Sequence, residues 1–173
     1  MKDIATLEYE YFLLRYAWGT GAGCVEWAVT RLSKDEEGDD LEVVLLASAR
    51  GRDEISPLVA TILERYCGAD RASDEYMAGK YVAALRRAYR LGEETVESLD
   101  IKFTAMYSTL GYPPWLTMLS RNCEYALDIP IFEEPFEKEF EYVASVWAAA
   151  ASLAEFYASY SRATSNSHDI ASR

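Results

Sequence analysis

The residues that could do chemistry are few. His168 is the only imidazole in 173 residues, and it lies in a polar C-terminal stretch. A general base or a metal ligand must be held in place, so histidine-based triads and histidine-containing metal motifs are not expected. Carboxylates are plentiful: Glu8 with Glu10, Glu93 with Glu94 and Glu97, and Glu134 with Glu137 and Glu141 fall at helical spacing. Glu137 and Glu141, one turn apart, could bind a divalent cation if they faced inward. The Glu-x-x-His partner of di-iron bundles is absent, however. Solvated helix starts account for these acids, and a carboxylate metalloprotein is the alternative. Cys24, Cys67 and Cys123 are far apart and form no CxxC pair, which points to reduced structural thiols rather than zinc or redox chemistry. None has a histidine to activate it as a nucleophile. Gly19, Gly21 and Gly23 have the spacing of a phosphate loop. No strand precedes them and no Lys-Ser or Lys-Thr follows, so a helix connection is expected. No catalytic residue, cofactor or metal is expected, and the chain reads as a non-enzyme.

Charge narrows the partners. The formal net charge is −12. A nucleic-acid binder needs a basic face that releases counterions, so neither DNA nor RNA is expected as a partner. No run of 18 apolar residues exists, so no membrane span is expected. The start Met1-Lys2-Asp3-Ile4, followed by Glu8 and Glu10, lacks the apolar block of a signal peptide, and a cytoplasmic location is expected. The acidity suits either a soluble surface or steering toward a basic protein.

The elements that must position any site read as helices throughout. Phe136, Phe140, Val143, Trp147, Ala150, Ala154 and Tyr157 repeat at alternating gaps of four and three, with a second apolar stripe beside them. This predicts one long core helix over 136–163. Earlier in the chain, Thr6, Asp40, Ser73 and Thr95 are placed to cap helices, and Pro57 and Pro114 to begin them. Leu41, Val44, Leu45 and Ser48 are expected to face inward. Val25, Ala28, Val29 and Leu32 make the expected apolar stripe of the second helix, with Trp27 off it. A loop is expected over 122–135. The expectation is an all-α fold: a single domain over 1–163 of about seven to eight antiparallel helices. The pairs over 24–91 have lengths that suit a HEAT-like array. Residues 164–173 carry no apolar pattern and are expected to form a disordered tail.

Binding is the more informative possibility. The chain has thirteen tyrosines. Most suit the rim of a core, but aromatic and arginine side chains also anchor interfaces. Tyr112, Trp115 and Arg121 surround a rigid double-proline turn and are the candidate anchors. Asp35, Glu36, Glu37, Asp39, Asp40, Glu133 and Glu134 are the candidate acids for steering a basic partner.

Several landmarks carry a resemblance. These are Tyr16-Ala17-Trp18-Gly19, Trp27-Ala28 with Leu32, the Leu45-Leu46-Ala47 segment, and Tyr107 leading into Gly111-Tyr112-Pro113. Over most of 10–150 the chain resembles an uncharacterised bacterial family of small acidic helical proteins. Some members of that family occur beside polymorphic toxin systems. The resemblance implies a non-enzymatic binding protein of the immunity type, one that would cover the basic cleft of a toxin. The alternative is a self-associating scaffold, a homodimer with no toxin partner.

Overall fold

The computed structural model describes residues 3–170, with side chains through 161. Among the described residues every regular element is helical and no strand occurs. The chain divides into two compact units, Met1–Ala72 and Ser73–Arg173.

The first unit holds α1 (Ile4–Arg15), α2 (Ala22–Leu32), α3 (Leu41–Leu46) and α4 (Gly51–Cys67). Its core gathers Leu7 and Leu14 of α1, Cys24 and Ala28 of α2, Val43 and Leu46 of α3, and Ile55, Val59, Ile62 and Leu63 of α4. Full burial of one such Leu, Ile or Val side chain stabilises by about 1.5–3 kcal/mol. Asp40 caps α3 as expected, its carboxylate accepting from the N–H groups of Glu42 and Val43. Two expectations are corrected. α4 begins at Gly51, not at Pro57, because Glu54 takes the Arg50 N–H at 2.7 Å and so closes the helix start six residues earlier. α3 also presents the opposite face: Val43 and Leu46 are buried, while Leu41, Val44 and Leu45 are 62%, 43% and 46% exposed. Five of its six residues are apolar, so the sequence pattern alone did not orient it.

The second unit holds α5 (Asp74–Arg90), α6 (Val96–Thr109), α7 (Pro114–Asp128), α8 (Glu133–Ala149) and α9 (Leu153–Ile170). Ser73 caps α5, and Thr95 with Ser98 forms a reciprocal capping box on α6. The expected loop over 122–135 is instead mostly helix, because α7 continues to Asp128 with Cys123 and Ala126 on its buried side. The core is aromatic. Trp147 stacks on Phe156 at 3.6 Å between ring centres, and Trp115 meets Trp147 edge-on at 5.2 Å. α5 packs on α8 through Gly79, where an added Cβ would overlap the Trp147 indole.

The long helix expected over 136–163 is broken. Ala150 leaves the helical region, with φ −69° and ψ 129°. Two devices hold the break. Ser152 accepts the Glu155 N–H while Glu155 accepts the Ala151 N–H, in the manner of a capping box. From α5, the Lys80 ammonium donates to the carbonyls of Trp147 and Ala150 at 2.7 and 2.5 Å, closing the C-terminus of α8. Of the disordered tail expected over 164–173, residues 164–170, His168 among them, continue α9, and 171–173 lie outside the described residues.

Candidate functional site

The strongest surface lies in the first unit, around the segment joining α2 to α3. Arg31 O accepts the N–H groups of Lys34 and Glu36, which folds the segment back on α2. Asp35, Glu36 and Asp39 are exposed and Glu37 is half-buried. Asp40 is different. It is 6% exposed, paired with Arg65 at 2.7 Å, and accepts the Tyr66 hydroxyl at 2.8 Å. Burial works to raise its carboxyl, but hydrogen bonds from Tyr66, Arg65 and Glu42 hold it below the usual carboxylate range. Asp40 therefore serves the fold, and four acids remain for a partner. They lead directly into the outward stripe of Leu41, Val44 and Leu45, which share one helix face at spacings of three and four. An apolar strip bordered by acids is the anatomy of an interface with an apolar centre and a charged rim.

A cleft of about 300 Å³ opens between α1 and α2 in the same unit. On α2 it is lined by Gly23, Glu26, Trp27, Thr30 and Arg31, one continuous helical face. From α1 come Thr6 and Glu10. The Glu10 carboxylate lies over Gly23, in space that a Cβ there would fill. Burial, and then the neighbouring Glu26 charge, push the Glu10 carboxyl above its usual range. At the other end the Arg31 guanidinium stacks on Trp27 at 4.6 Å, and the Trp27 indole donates to Asp3 O at 3.0 Å. The Arg31 side chain is 6% exposed. It meets Glu36 at 3.5 Å, and its buried Nε finds no acceptor among the described residues.

The sequence-based anchors in the second unit are not one cluster on its surface. Trp115 is fully buried and donates its indole N–H to Glu75 at 2.9 Å, so it anchors the core. Tyr112 is 64% exposed, held at φ 64° with its ring edge-on to Tyr107 at 5.0 Å. Arg121 is exposed and lies over the Tyr125 ring at 6.0 Å. Glu133 and Glu134 sit exposed in the first turn of α8, where the helix dipole favours them. Glu134 bonds Lys138 at 2.6 Å, and that hydrogen bond lowers its carboxyl below the usual range. The basic groove of this unit is lined by Arg86, Arg87 and Arg90, with Arg86 paired to Glu141 at 2.8 Å. Cys24 and Cys123 are buried, and burial pushes both thiols up to about 12, so neither is an available thiolate at neutral pH.

Sequence reasoning set Glu10 beside Glu8 and Gly23 in a helix connection, and missed Arg31 and the meeting of all three in one cleft. The polar spacing 23, 26, 27, 30, 31 and 34 was the available signal: a second face on α2, separate from its apolar one. Trp27 lies on it, and Val29, expected to be inward, is 47% exposed. No protein-family model, curated protein or solved structure matches this chain.

Proposed function

We propose that this chain is a non-enzymatic, cytoplasmic protein-binding module that captures a basic partner on its first unit. The observation that carries the reading is the outward stripe of Leu41, Val44 and Leu45 directly behind Asp35, Glu36, Glu37 and Asp39. The stripe supplies the desolvated centre. The acids supply orientation and a fast encounter with a positive surface. An immunity-type inhibitor is the concrete form: the acidic rim lies over the cationic substrate cleft of a toxin and blocks it sterically. The acids also weigh against the self-associating alternative. A two-fold dimer through α3 would set this rim against its own copy, like charge against like.

The test is a pull-down from the native lysate at low and high salt, run with the natural chain and two variants. One variant is Leu45→Asp; the other replaces Asp35, Glu36 and Asp39 by their amides. The expected result is one dominant basic protein, released by high salt and lost with Leu45→Asp. The amide variant should keep weak capture with a reduced salt dependence. A partner retained equally by all three chains would overturn the reading.

A further inference from the structure

The cleft between α1 and α2 carries opposite charge at its two ends: Arg31, paired with Glu36 at one edge, and the carboxylates of Glu10 and Glu26. A buried guanidinium ordinarily faces a carboxylate that fills its planar fork. Among the described residues, Arg31 has as its carboxylate partner only the edge contact to half-exposed Glu36, and its Nε, closed off from solvent, has no acceptor. At the opposite end Glu10 and Glu26 stand side by side. No ion pair joins either of them to Arg31 among the described residues; Gly23, beyond Glu26, makes room for the Glu10 carboxylate, and Trp27 and Thr30 line α2 between the two ends. Glu26 and Arg31 are five positions apart on α2, an axial separation of about 7.5 Å. Lys34 adds positive charge beyond Arg31, while Asp3 and Glu36 border that end. About 300 Å³ is the lower end of the range for ligand pockets.

We propose that this cleft binds a dipolar ω-amino carboxylate, with its carboxylate on Arg31 and its ammonium between Glu10 and Glu26. Five positions also turn about 140° around α2, so the two charged ends lie farther apart than the rise of about 7.5 Å, and an extended five- or six-carbon amino acid is needed to approach both. The same chemistry is presented by a lysine at the C-terminus of a polypeptide, whose side-chain ammonium and main-chain carboxylate lie at the two ends of one chain. The short α-amino acids hold their charges too close together to reach both ends. The inference does not need the α3 stripe, although Glu36 belongs to both the acidic rim and the cleft.

The test is calorimetric titration of the full chain at low salt with ε-aminocaproate and with Nα-acetyl-lysine. Caproate, n-hexylamine and glycine serve as controls. Saturable binding of a dipolar probe is expected, with none of the controls binding at the same concentration. Tighter binding of Nα-acetyl-lysine assigns the site to a lysine C-terminus, and preference for ε-aminocaproate assigns it to a free amino acid. Gly23→Ala puts a methyl group where the Glu10 carboxylate lies and should abolish binding while the chain still unfolds cooperatively. Glu26→Gln, at an exposed position, should weaken binding by about threefold to fivefold. The proposal is overturned if neither dipolar probe binds, if caproate or hexylamine binds as well as they do, or if Gly23→Ala binds unchanged.

Discussion

Gly23 and Gly79 pose the same geometric question and give opposite answers. Each is a helical glycine at which an added Cβ would come closer than 3.0 Å to a neighbouring side chain. Over Gly79 the neighbour is the Trp147 indole, so the missing side chain lets two helices of the second unit pack around an aromatic core. Over Gly23 the neighbour is the Glu10 carboxylate beside an open cleft. One glycine completes a packed interior. The other makes room for a carboxylate at the edge of a cleft. The cations repeat the contrast. Lys80 is closed by two main-chain carbonyls, whereas Arg31 is left with an unmet donor. Space is used up where the protein is held together, whereas unpartnered buried donors occur in both units, Trp147 Nε1 in the second as well as Arg31 Nε in the first.

Substitution at the two glycines should give the largest separation. Gly79→Ala is expected to destabilise by about 2–3 kcal/mol, since Trp147 is fixed by Phe156, Trp115 and Tyr76 and cannot withdraw. Gly23→Ala is expected to be neutral or to stabilise by up to about 1 kcal/mol, because Glu10 can swing outward and alanine favours the helix. Urea midpoints of the two variants measure this. Equal losses would mean that the cleft is as tightly built as the core.

The cations come next. Lys80→Met strips the carbonyls of Trp147 and Ala150 of their donor and should cost about 1–3 kcal/mol. Arg31→Met keeps most of the packing on Trp27 and removes a charge that was only partly compensated, so it should be close to neutral. A thermal unfolding comparison reads both. If Arg31→Met proves the more damaging, the Arg31 end of the cleft is structural and not a binding site.

The same contrast governs what the sequence disclosed. Caps at Asp40, Ser73 and Thr95 were legible because a capping side chain and its donors lie within three residues. The all-helical class followed from three-four periodicity. The break at Ala150 was hidden for a physical reason: Trp147 and Phe156 are both buried, so the apolar pattern runs on across it. The Ser152–Glu155 box was the only local trace, and the Lys80 cap comes from a distant helix. The α3 face was undetermined because its apolar residues leave no polar side to mark the outside. Trp115 sits beside a conspicuous double proline, yet burial is a property of packing, which the motif does not encode. The cleft needed Glu10 and Gly23 to meet across two helices, and neither residue carries a signature alone.

The smallest effect is the most discriminating. Glu10 has its carboxyl pushed above the ordinary 4.5 by burial and by Glu26. The folded state therefore holds the proton more tightly than the unfolded chain does. The contribution of Glu10 to stability is greatest below 4.5 and is lost as pH rises through the folded value, so at neutral pH its ionised carboxylate is a net burden. Glu10→Gln removes the titration and should raise the urea midpoint slightly at neutral pH, with the gain vanishing below 4.5. A binding cleft would keep such a carboxylate against its effect on stability, as functional sites often do. If Glu10→Gln instead lowers the midpoint at neutral pH, the carboxylate is holding α1 to α2, and the distinction between the two glycines loses its meaning.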